Sequence, residues 1–371
     1  MPTISRDIKI GNILARVDLS NPVFRYAGNP ILTAHEVNKV WNNPKYKVVT
    51  VHNAGITQHN NKTVMLFRSH LRTGISVIGI ATSSNGITNW EIEPEPVIKP
   101  CNANNMFAKG VNRHELIENE SGGIEDPRIS HIDGTYYITY SAYHGLVKDR
   151  VRVSLITTPD FKSFVRYGPL LLSDMRNVVI FPLKIKNRYV ALFRPNGHSS
   201  GHTGGIFKEI KIGYSDSIKS GQWQLLNEPI MRQQGVPSAF SDKIGPGATP
   251  FLTPHGWISI FHGVRSTMDG NPYVLGVALH NRDNPELVKV SAIPILFPSA
   301  ADCKVNETDY VHVPNVVFTC GATCKKDGTV FIYYGGNDTV MNIAVTHYDV
   351  LAALCTEYQQ NPLTGQFLYN I

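Results

Sequence analysis

Short strand-like segments dominate the hydrophobic pattern of the chain, and they occur in pairs. The first three pairs each end in a polar turn that is followed by an aromatic residue, Trp90, Phe164 or Trp223. Apolar runs of this length, bounded by Gly, Asn and Pro, are typical of β-strands. The five pairs are residues 63–68 with 75–81, 136–142 with 151–156, 189–193 with 210–214, 257–261 with 273–278, and 329–334 with 341–345.

The spacing of these pairs predicts the fold. Successive pairs begin roughly 50–75 residues apart, which is a period typical of propeller blades. Amphipathic helices are nearly absent, and residues 34–40 and 349–354 are the main candidates. We therefore predict an all-β chain that folds as a five-bladed β-propeller with a central active-site funnel. Residues 1–371 form one catalytic domain in this prediction. The segment before about residue 25 and the C-terminal tail are extensions. A two-domain β-sandwich is the competing interpretation.

Composition narrows the class of protein. The chain has 371 residues and a net charge of +6, and its basic residues are scattered. This balance suits a small anionic ligand and does not indicate a nucleic-acid surface. No apolar run reaches the length of a membrane span, and the N-terminus lacks an apolar signal core. Five cysteines without a disulfide pattern indicate free thiols in a reducing compartment, so we expect a cytoplasmic protein.

One polar motif, Gly122-Gly123-Ile124-Glu125-Asp126-Pro127-Arg128, contains the main candidate for catalysis. It follows a segment that we expect to be a polar loop, residues 114–121, and precedes a strand at 134–140. Pro127 predicts an extended backbone at Asp126. Taken alone, a carboxylate two residues from an arginine is most often part of a salt-bridged turn.

Other charged and polar residues lie at corresponding places in the five repeats. Because the blades of a propeller surround one axis, residues far apart in sequence can share a site. An inverting glycosidase needs a second carboxylate to activate water, whereas phosphate is already an anion and needs a cationic cradle. One acid with several cations therefore indicates phosphorolysis of a glycoside. The residues are Arg68; Asp126 with Tyr143 and His144; Arg176, Asn177, Arg194 and Asn196; Lys243 and His262; and Asn337 with Asp338.

These motifs resemble those of the inverting β-mannoside phosphorylases of glycoside hydrolase family 130. They also resemble the related protozoan mannosyltransferase/phosphorylases that act on β-1,2-mannan. The resemblance runs from about Asn29 to the C-terminal region. It is carried by Asn53-Ala54-Gly55, Gly123 to Arg128, Arg176 to Ile185, Arg194-Pro195, Lys243 to Pro250, Gly256 to Val264, Val313 to Phe318 and Tyr334 to Thr339.

The resemblance implies a role for each candidate residue. Asp126 is the expected general acid, which relays a proton through a hydroxyl of the bound mannose to the leaving oxygen. Phosphate attacks the anomeric carbon from the opposite face, and the product is α-mannose 1-phosphate. The expected phosphate-binding residues are Arg176, Asn177, Arg194, Lys243 and His262. The expected mannose-binding residues are Asn53, Arg68, Asp338 and Tyr143.

The same residues are compatible with several other functions. The phosphate cradle favours a phosphorylase over the hydrolases of the family, but the same cations could hold the diphosphate of GDP-mannose in a β-mannosyltransferase. A sugar-binding propeller without activity is the non-enzyme alternative. We expect phosphate as co-substrate and no cofactor or metal, and the oligomeric state is left open, a homo-oligomer included. β-1,2-Linked mannan is the preferred substrate from the resemblance.

Departures from the family pattern leave the acceptor undetermined. Residues 280–285 replace an acidic run that is common in the family, and Gly247-Ala248-Thr249-Pro250 has fewer prolines than usual. The segments 102–120 and 197–207 are long and rich in His, Asn and Gly. We expect these two segments to shape the acceptor site.

Overall fold

Five sheets follow one another along the chain and close into a ring, which confirms the five-bladed propeller. Their pairings are antiparallel except for the short parallel pairing of β8 with β12. The computed structural model describes residues 4–148, 150–196, 209–232, 238–268, 270–306 and 309–368. The N-terminal part contains the hairpin β1 (Ser5–Ile10) and β2 (Ile13–Asp18), then β3 (Phe24–Arg25) and helix α1 (Ala34–Val40).

The blades then follow in chain order. Blade I comprises β4 (Val48–His59), β5 (Lys62–Leu71), β6 (Ser76–Ser83) and β7 (Glu91–Ile92). Blade II comprises β8 (Met106–Phe107), β9 (Gly123–Ile132), β10 (Thr135–Tyr143), β11 (Val151–Thr158) and β12 (Val165–Pro169), with helix α2 (Arg113–Glu120) before β9. Blade III comprises β13 (Met175–Ile180), β14 (Tyr189–Pro195), β15 (Glu209–Ser215), β16 (Gln224–Leu225) and β17 (Met231–Arg232).

The last two blades are built partly from the chain ends. Blade IV comprises β18 (Lys243–Pro246), β19 (Phe251–Thr253), β20 (Gly256–Val264), β21 (Tyr273–His280) and β22 (Val288–Ser291). Blade V comprises β23 (Val317–Cys324), β24 (Thr329–Gly336) and β25 (Val340–His347). Helix α3 (Tyr348–Glu357) and β26 (Gln359–Gln360) follow, and β26 pairs with the outer edge of blade IV.

Counted outward from the funnel, the predicted strand pairs are the second and third strands of each blade. The first strand of each blade is an inner strand that precedes the pair in the chain. The inner strands are β4, β9, β13, β18 and β23. The pairing of β4, β9, β13 and β23 with the next strand is broken by a register shift. Such bulges interrupt the alternation of apolar and polar side chains. This explains why the hydrophobic pattern shows the outer pairs more clearly than the strands that line the funnel.

An N-terminal strand closes the ring. β3 pairs with β25, so blade V combines residues from both ends of the chain. Arg25 of β3 forms a bidentate ion pair with the buried carboxylate of Asp302, at 2.7 and 3.0 Å, and Tyr334 donates to the same carboxylate at 2.7 Å. The closing strand is therefore held by a charged contact as well as by its few backbone hydrogen bonds.

The hydrophobic core is divided among the seams between blades. Each seam contains apolar side chains from the two blades that face each other, so the ring of blades is held by side-chain packing. Representative buried pairs are Leu66 and Tyr140 between blades I and II, Leu155 and Phe193 between II and III, Leu192 and Phe261 between III and IV, Ile260 and Ile332 between IV and V, and Phe331 and Phe67 between V and I.

The helices differ from the prediction at one place. α1 and α3 confirm the two predicted helices, but the segment predicted as a polar loop forms α2. Its eight residues, RHELIENE, carry few apolar side chains, so the sequence has no amphipathic pattern to reveal it. Asn112 caps its first turn by accepting a hydrogen bond from the Glu115 amide at 3.3 Å.

Two further features bear on the class of protein. Within the described ranges, no helix is both long and apolar enough to cross a bilayer. All five cysteines are free thiols, and burial raises the pKa of Cys101 to about 12.

Candidate active site

Left-handed backbone residues mark the site on three neighbouring inner strands. Asn53 of β4, Asp126 of β9 and Asn177 of β13 have φ angles of 50°, 53° and 54°. Each lies within the register shift of its strand, and Asn and Asp tolerate this conformation better than most residues. The extended conformation predicted for Asp126 is therefore wrong. Pro127 does exclude the right-handed helical region, but the bulge selects the left-handed one.

Gly55 of β4 allows this strand to approach β9, the strand that carries Asp126. A Cβ atom at this position would lie 2.7 Å from the carbonyl oxygen of Pro127. This contact explains the glycine in the Asn53-Ala54-Gly55 motif. As a result, the side-chain amide of Asn53 donates a hydrogen bond of 3.0 Å to the Asp126 carboxylate. It also reaches Asp338 at 3.5 Å.

Arg68 links the carboxylates of this part of the site. Its guanidinium donates to Glu125 at 2.6 Å and to Asp126 at 3.3 Å. Asp126 is therefore not in a simple salt-bridged turn with Arg128, and it is not unpaired either. Its ionic partner comes from β5 of a different blade. We call Asn53, Arg68, Glu125, Asp126 and Asp338 the carboxylate half of the site.

Asp338 contributes to this half a carboxylate with a raised pKa. It lies in the turn between β24 and β25, with φ 48°. Burial raises its pKa to about 6, and the negative charges of Asp126 and Glu125 act in the same direction. Arg68 and the amide of Asn53 oppose this shift. Asp338 therefore holds its proton more tightly than an ordinary aspartate does.

Arg128 connects the backbone of β9 with the backbone of blade IV. One nitrogen donates to the carbonyl of Asp126 at 2.8 Å, and two others donate to the carbonyls of Gly247 and Pro246 at 2.9 and 3.3 Å. These contacts join blade II to blade IV across the funnel. Arg128 thus supports the bulged part of β9 that carries Asp126.

Arg194 and His262 form the centre of a cationic half. The guanidinium of Arg194 lies 3.3 Å from His262 Nε2, and both side chains are buried. Because a guanidinium can only donate, His262 Nε2 accepts, and a neutral ring then carries its proton on Nδ1. Burial and the charge of Arg194 hold the pKa of His262 well below its usual value, which agrees with a neutral ring.

Arg176 lies beside this pair. It is the cross-strand partner of Arg194 in the β13–β14 ladder, and its guanidinium sits 5.2 Å from the ring centre of Tyr143. Burial, followed by the charge of Arg176, lowers the pKa of Arg194 to about 9. Among the described residues, Nε of Arg176, Nε of Arg194 and Nδ1 of His262 are buried and have no hydrogen-bond partner.

Lys243 completes the cationic half from blade IV. Its ammonium donates to the hydroxyl of Tyr273 at 2.9 Å. The ring of Tyr273 stacks against His262 with centroids 6.2 Å apart. The sequence had not identified Tyr273 because tyrosines are common in the predicted strands. We call Arg176, Asn177, Arg194, Lys243, His262 and Tyr273 the cationic half.

Gly245 permits the cationic side chains to come together. It pairs with His262 in the β18–β20 ladder. A Cβ atom at Gly245 would lie 2.5 Å from the His262 ring and 2.8 Å from the Arg194 side chain. In the Lys243-Ile244-Gly245 motif, Lys243 therefore supplies a positive charge. Gly245 leaves the space that the His262 and Arg194 side chains occupy.

The structure places the predicted site residues in or beside the two halves, except His144, Asn196 and Asn337, whose described contacts lie elsewhere. The side chain of Asn337 accepts a hydrogen bond from the Val316 amide. His144 accepts the amide hydrogens of Leu146 and Val147, while Asn196 is buried at the end of β14. Of the two segments expected to shape the acceptor site, 102–120 contains β8 and α2, and 197–207 lies outside the described residues. Within the described ranges, no cluster of three or more His, Cys, Asp or Glu could hold a metal ion.

A family model matches most of the chain. The model is Glyco_hydro_130, described as beta-1,4-mannooligosaccharide phosphorylase, and it matches residues 24–357. The match begins at the strand that closes the ring and ends with helix α3. All the residues of both halves of the site lie inside it.

Individual relatives are similar over nearly their whole lengths. The chain is 30% identical to a 1,2-beta-oligomannan phosphorylase of Thermoanaerobacter sp. (strain X514), over 86% of this chain and 96% of the relative. It is 28% identical to a beta-1,4-mannooligosaccharide phosphorylase of Ruminococcus albus, over 90% of each chain. Among solved structures, the beta-1,2-mannobiose phosphorylase of Listeria innocua superposes with a TM-score of 0.73 at 25% identity, covering 90% of this chain and 99% of that one.

Proposed function

Because the chain belongs to the glycoside hydrolase 130 family, we propose that it is an inverting β-mannoside phosphorylase. It transfers a mannosyl group from a β-linked mannooligosaccharide to inorganic phosphate and releases α-mannose 1-phosphate, in a reversible reaction. Phosphate is its co-substrate, and the reaction needs no other cofactor. The names of its relatives support phosphorolysis of β-mannosides as the general activity.

One observation carries the choice of phosphate as the attacking group. Arg176, Arg194 and His262 present buried N–H groups that have no acceptor among the described residues. Neither arginine forms an ion pair with a described carboxylate, whereas Arg68 forms two. Buried cations without a counter-ion are costly, and a bound anion with several oxygens satisfies both the charge and the donors. A water molecule, as used by a hydrolase, supplies no such charge.

The proposed chemistry divides between the two halves of the site. A phosphate oxygen held by the cationic half bonds to the anomeric carbon as the glycosidic carbon–oxygen bond breaks on the opposite face. Asp126 gives its proton to a hydroxyl of the bound mannose, and that hydroxyl passes its own proton to the leaving oxygen. Asn53, Arg68, Asp338 and Tyr143 bind the mannose. The phosphate needs no general base because it is already charged.

We propose β-1,2-mannan oligosaccharides as the substrates. Support comes from the overall similarity to the Thermoanaerobacter and Listeria innocua enzymes, whose names carry this linkage. The Ruminococcus albus relative, named for β-1,4 linkages, makes the second linkage to test. Incubation with β-1,2-, β-1,3- and β-1,4-mannobiose plus phosphate tests the choice. We expect the β-1,2 compound to give the highest kcat/KM, and a higher value for either other compound overturns the assignment.

The role of the cationic half is tested with a pair of arginine variants on the same blade. Arg194→Gln should raise the KM for phosphate by about 10–100-fold, because a charge-assisted contact is lost, and should change the KM for mannoside little. Arg188→Gln is the control, since Arg188 is a partly exposed residue over the Tyr214 ring. Equal KM increases for both substrates in Arg194→Gln would contradict phosphate binding at this residue.

A further inference from the structure

Three histidines lie beside the carboxylate half, and the proposed reaction does not use them. His52 of β4 is the cross-strand partner of Arg68, and His70 of β5 follows Arg68 by two residues. His312 approaches from the segment before β23, with its ring centre 5.4 Å from that of His70 and 6.3 Å from that of His52. Tyr310 lies 2.8 Å from the Nδ1 atom of His312.

His70 is connected to the carboxylate half through one serine. Its Nδ1 atom lies 3.2 Å from Ser76 Oγ, which lies 3.1 Å from the Glu125 carboxylate. Arg68 Nε also contacts Ser76 Oγ at 3.3 Å. Ser76 has a single hydroxyl proton, and Arg68 can only donate. If Ser76 donates to Glu125, it must accept from Arg68 and from His70, so the His70 proton lies on Nδ1.

We propose that His70 and Ser76 form a positioning pair that holds Arg68 and Glu125 in place to bind mannose beside Asp126. Ser76 accepts one hydrogen bond from Arg68 and donates another to Glu125, which is itself a partner of Arg68. These contacts restrict the long Arg68 side chain, which otherwise has several rotamers. This inference rests on the proposed function of the site and adds residues that act on the mannose through Arg68.

The surroundings of His70 are consistent with an uncharged ring. The titratable groups near it are Arg68 on its own strand, His312 on the segment before β23, His52 on β4, and Glu125 on β9, which His70 reaches through Ser76. Burial, followed by the charges of Arg68 and His312, lowers the pKa of His70. A neutral imidazole donates to Ser76 without adding a second positive charge next to Arg68.

Two substitutions of different shape test the pair. Asn can place an N–H where His70 has Nδ1–H, whereas Leu cannot. We expect His70→Leu to lower kcat/KM for mannoside by about tenfold or more while the KM for phosphate stays within about twofold. His70→Asn should recover most of the loss. His35→Leu is the control, because His35 is exposed on α1, and it should behave as the wild type.

A double-mutant cycle makes the test independent of any single variant. Ser76→Ala should reproduce the loss, and the His70→Leu/Ser76→Ala double variant should lose no more than Ser76→Ala alone, because both act through one path. Additive losses, or a His70→Leu variant with wild-type kinetics, would overturn the inference. If His70→Leu does not fold, His70→Ala, which also lacks the N–H group, takes its place in the cycle.

The failure of this inference can be separated from the failure of the proposed function. Absence of phosphate-dependent cleavage by the wild type would remove the phosphorylase assignment. The positioning pair is then measured by calorimetric titration with β-1,2-mannobiose, which needs no turnover. Weaker binding by His70→Leu, restored in His70→Asn, supports the pair, and unchanged binding in both variants contradicts it.

Discussion

The carboxylate of Asp126 occupies an unusual backbone position that its partners stabilise from three directions. Its φ angle is positive, its carboxylate contacts Asn53 and Arg68, and its carbonyl accepts from Arg128. Backbone conformations of this kind cost free energy and persist where surrounding contacts hold them. The contacts with neighbouring strands therefore fix the orientation of the Asp126 carboxylate.

Replacing the acid should separate binding from turnover. Asp126→Asn keeps the size of the side chain and tolerates the left-handed backbone, so mannoside should still bind. Turnover should fall by about 10²–10⁴-fold because the proton donor is lost. Asp133→Asn is the matched control, since Asp133 also has a positive φ but lies in the exposed turn between β9 and β10. Steady-state kinetics and calorimetry give both quantities; wild-type kcat in Asp126→Asn would remove its role.

The carboxylate of Asp338 should lower the free energy of unfolding at high pH. Its pKa is about 6 in the folded protein, above the usual value of 3.8. The folded state therefore binds the proton more tightly, so the group favours folding at low pH, and this contribution is lost as pH rises through 6. Asp338→Asn should be more stable than the wild type by roughly 1–3 kcal/mol at pH 8, with the difference shrinking towards pH 4.

Urea unfolding of both proteins across that range measures the effect, provided that the m-values agree. Mannoside binding by Asp338→Asn should be weaker throughout. A stability difference that does not change with pH would show that the carboxylate is not the source. A site residue that lowers stability in this way is expected where function requires buried charge.

At the scale of elements, the inner strands and their bulges determine the site. The sequence identifies the outer strand pairs because their apolar side chains alternate regularly, but it cannot locate the inner strands as clearly. In β9, the motif from Gly123 to Arg128 interrupts the alternation with charged residues, and its backbone departs from the conformation that Pro127 alone predicts. The sequence also does not reveal helix α2, because a helix without an apolar face leaves no periodic pattern.

The contact between Arg25 of the closing strand β3 and Asp302 should stabilise the ring. Arg25→Met leaves the buried Asp302 carboxylate without its cation, and we expect a loss of about 2–4 kcal/mol in the free energy of unfolding. Arg6→Met is the control, because Arg6 is the exposed partner of a half-buried Asp349, and this pair should contribute about 1 kcal/mol or less. Urea unfolding compares the two. Equal losses would show that closure does not depend on the buried pair.

At the scale of the whole molecule, the ring makes one site from residues spread over most of the chain. Asn53 and Asp338 approach to 3.5 Å although 285 positions separate them. The repeat of strand pairs predicted this convergence, because five blades share one axis. It did not predict which side chains face each other. The contact of Lys243 with Tyr273 and the path from His70 to Glu125 depend on strand register, which the sequence pattern does not determine.

The division of the funnel into a carboxylate half and a cationic half follows from the same convergence. Blades I, II and V supply the residues around Asp126, whereas blades III and IV supply Arg176, Arg194, Lys243 and His262. In this account an inverting transfer uses the two halves on opposite faces of one sugar. The cationic half distinguishes transfer to phosphate from hydrolysis, so the identity of the attacking group is the central claim.

Nuclear magnetic resonance of the reaction products tests that claim most directly. The wild-type protein is incubated with β-1,2-mannobiose in phosphate buffer and in a phosphate-free buffer, and the proton and phosphorus spectra are followed from the first turnovers. We expect α-mannose 1-phosphate as the first product in phosphate buffer and negligible cleavage without phosphate. Release of free mannose at the same rate in both buffers would contradict it.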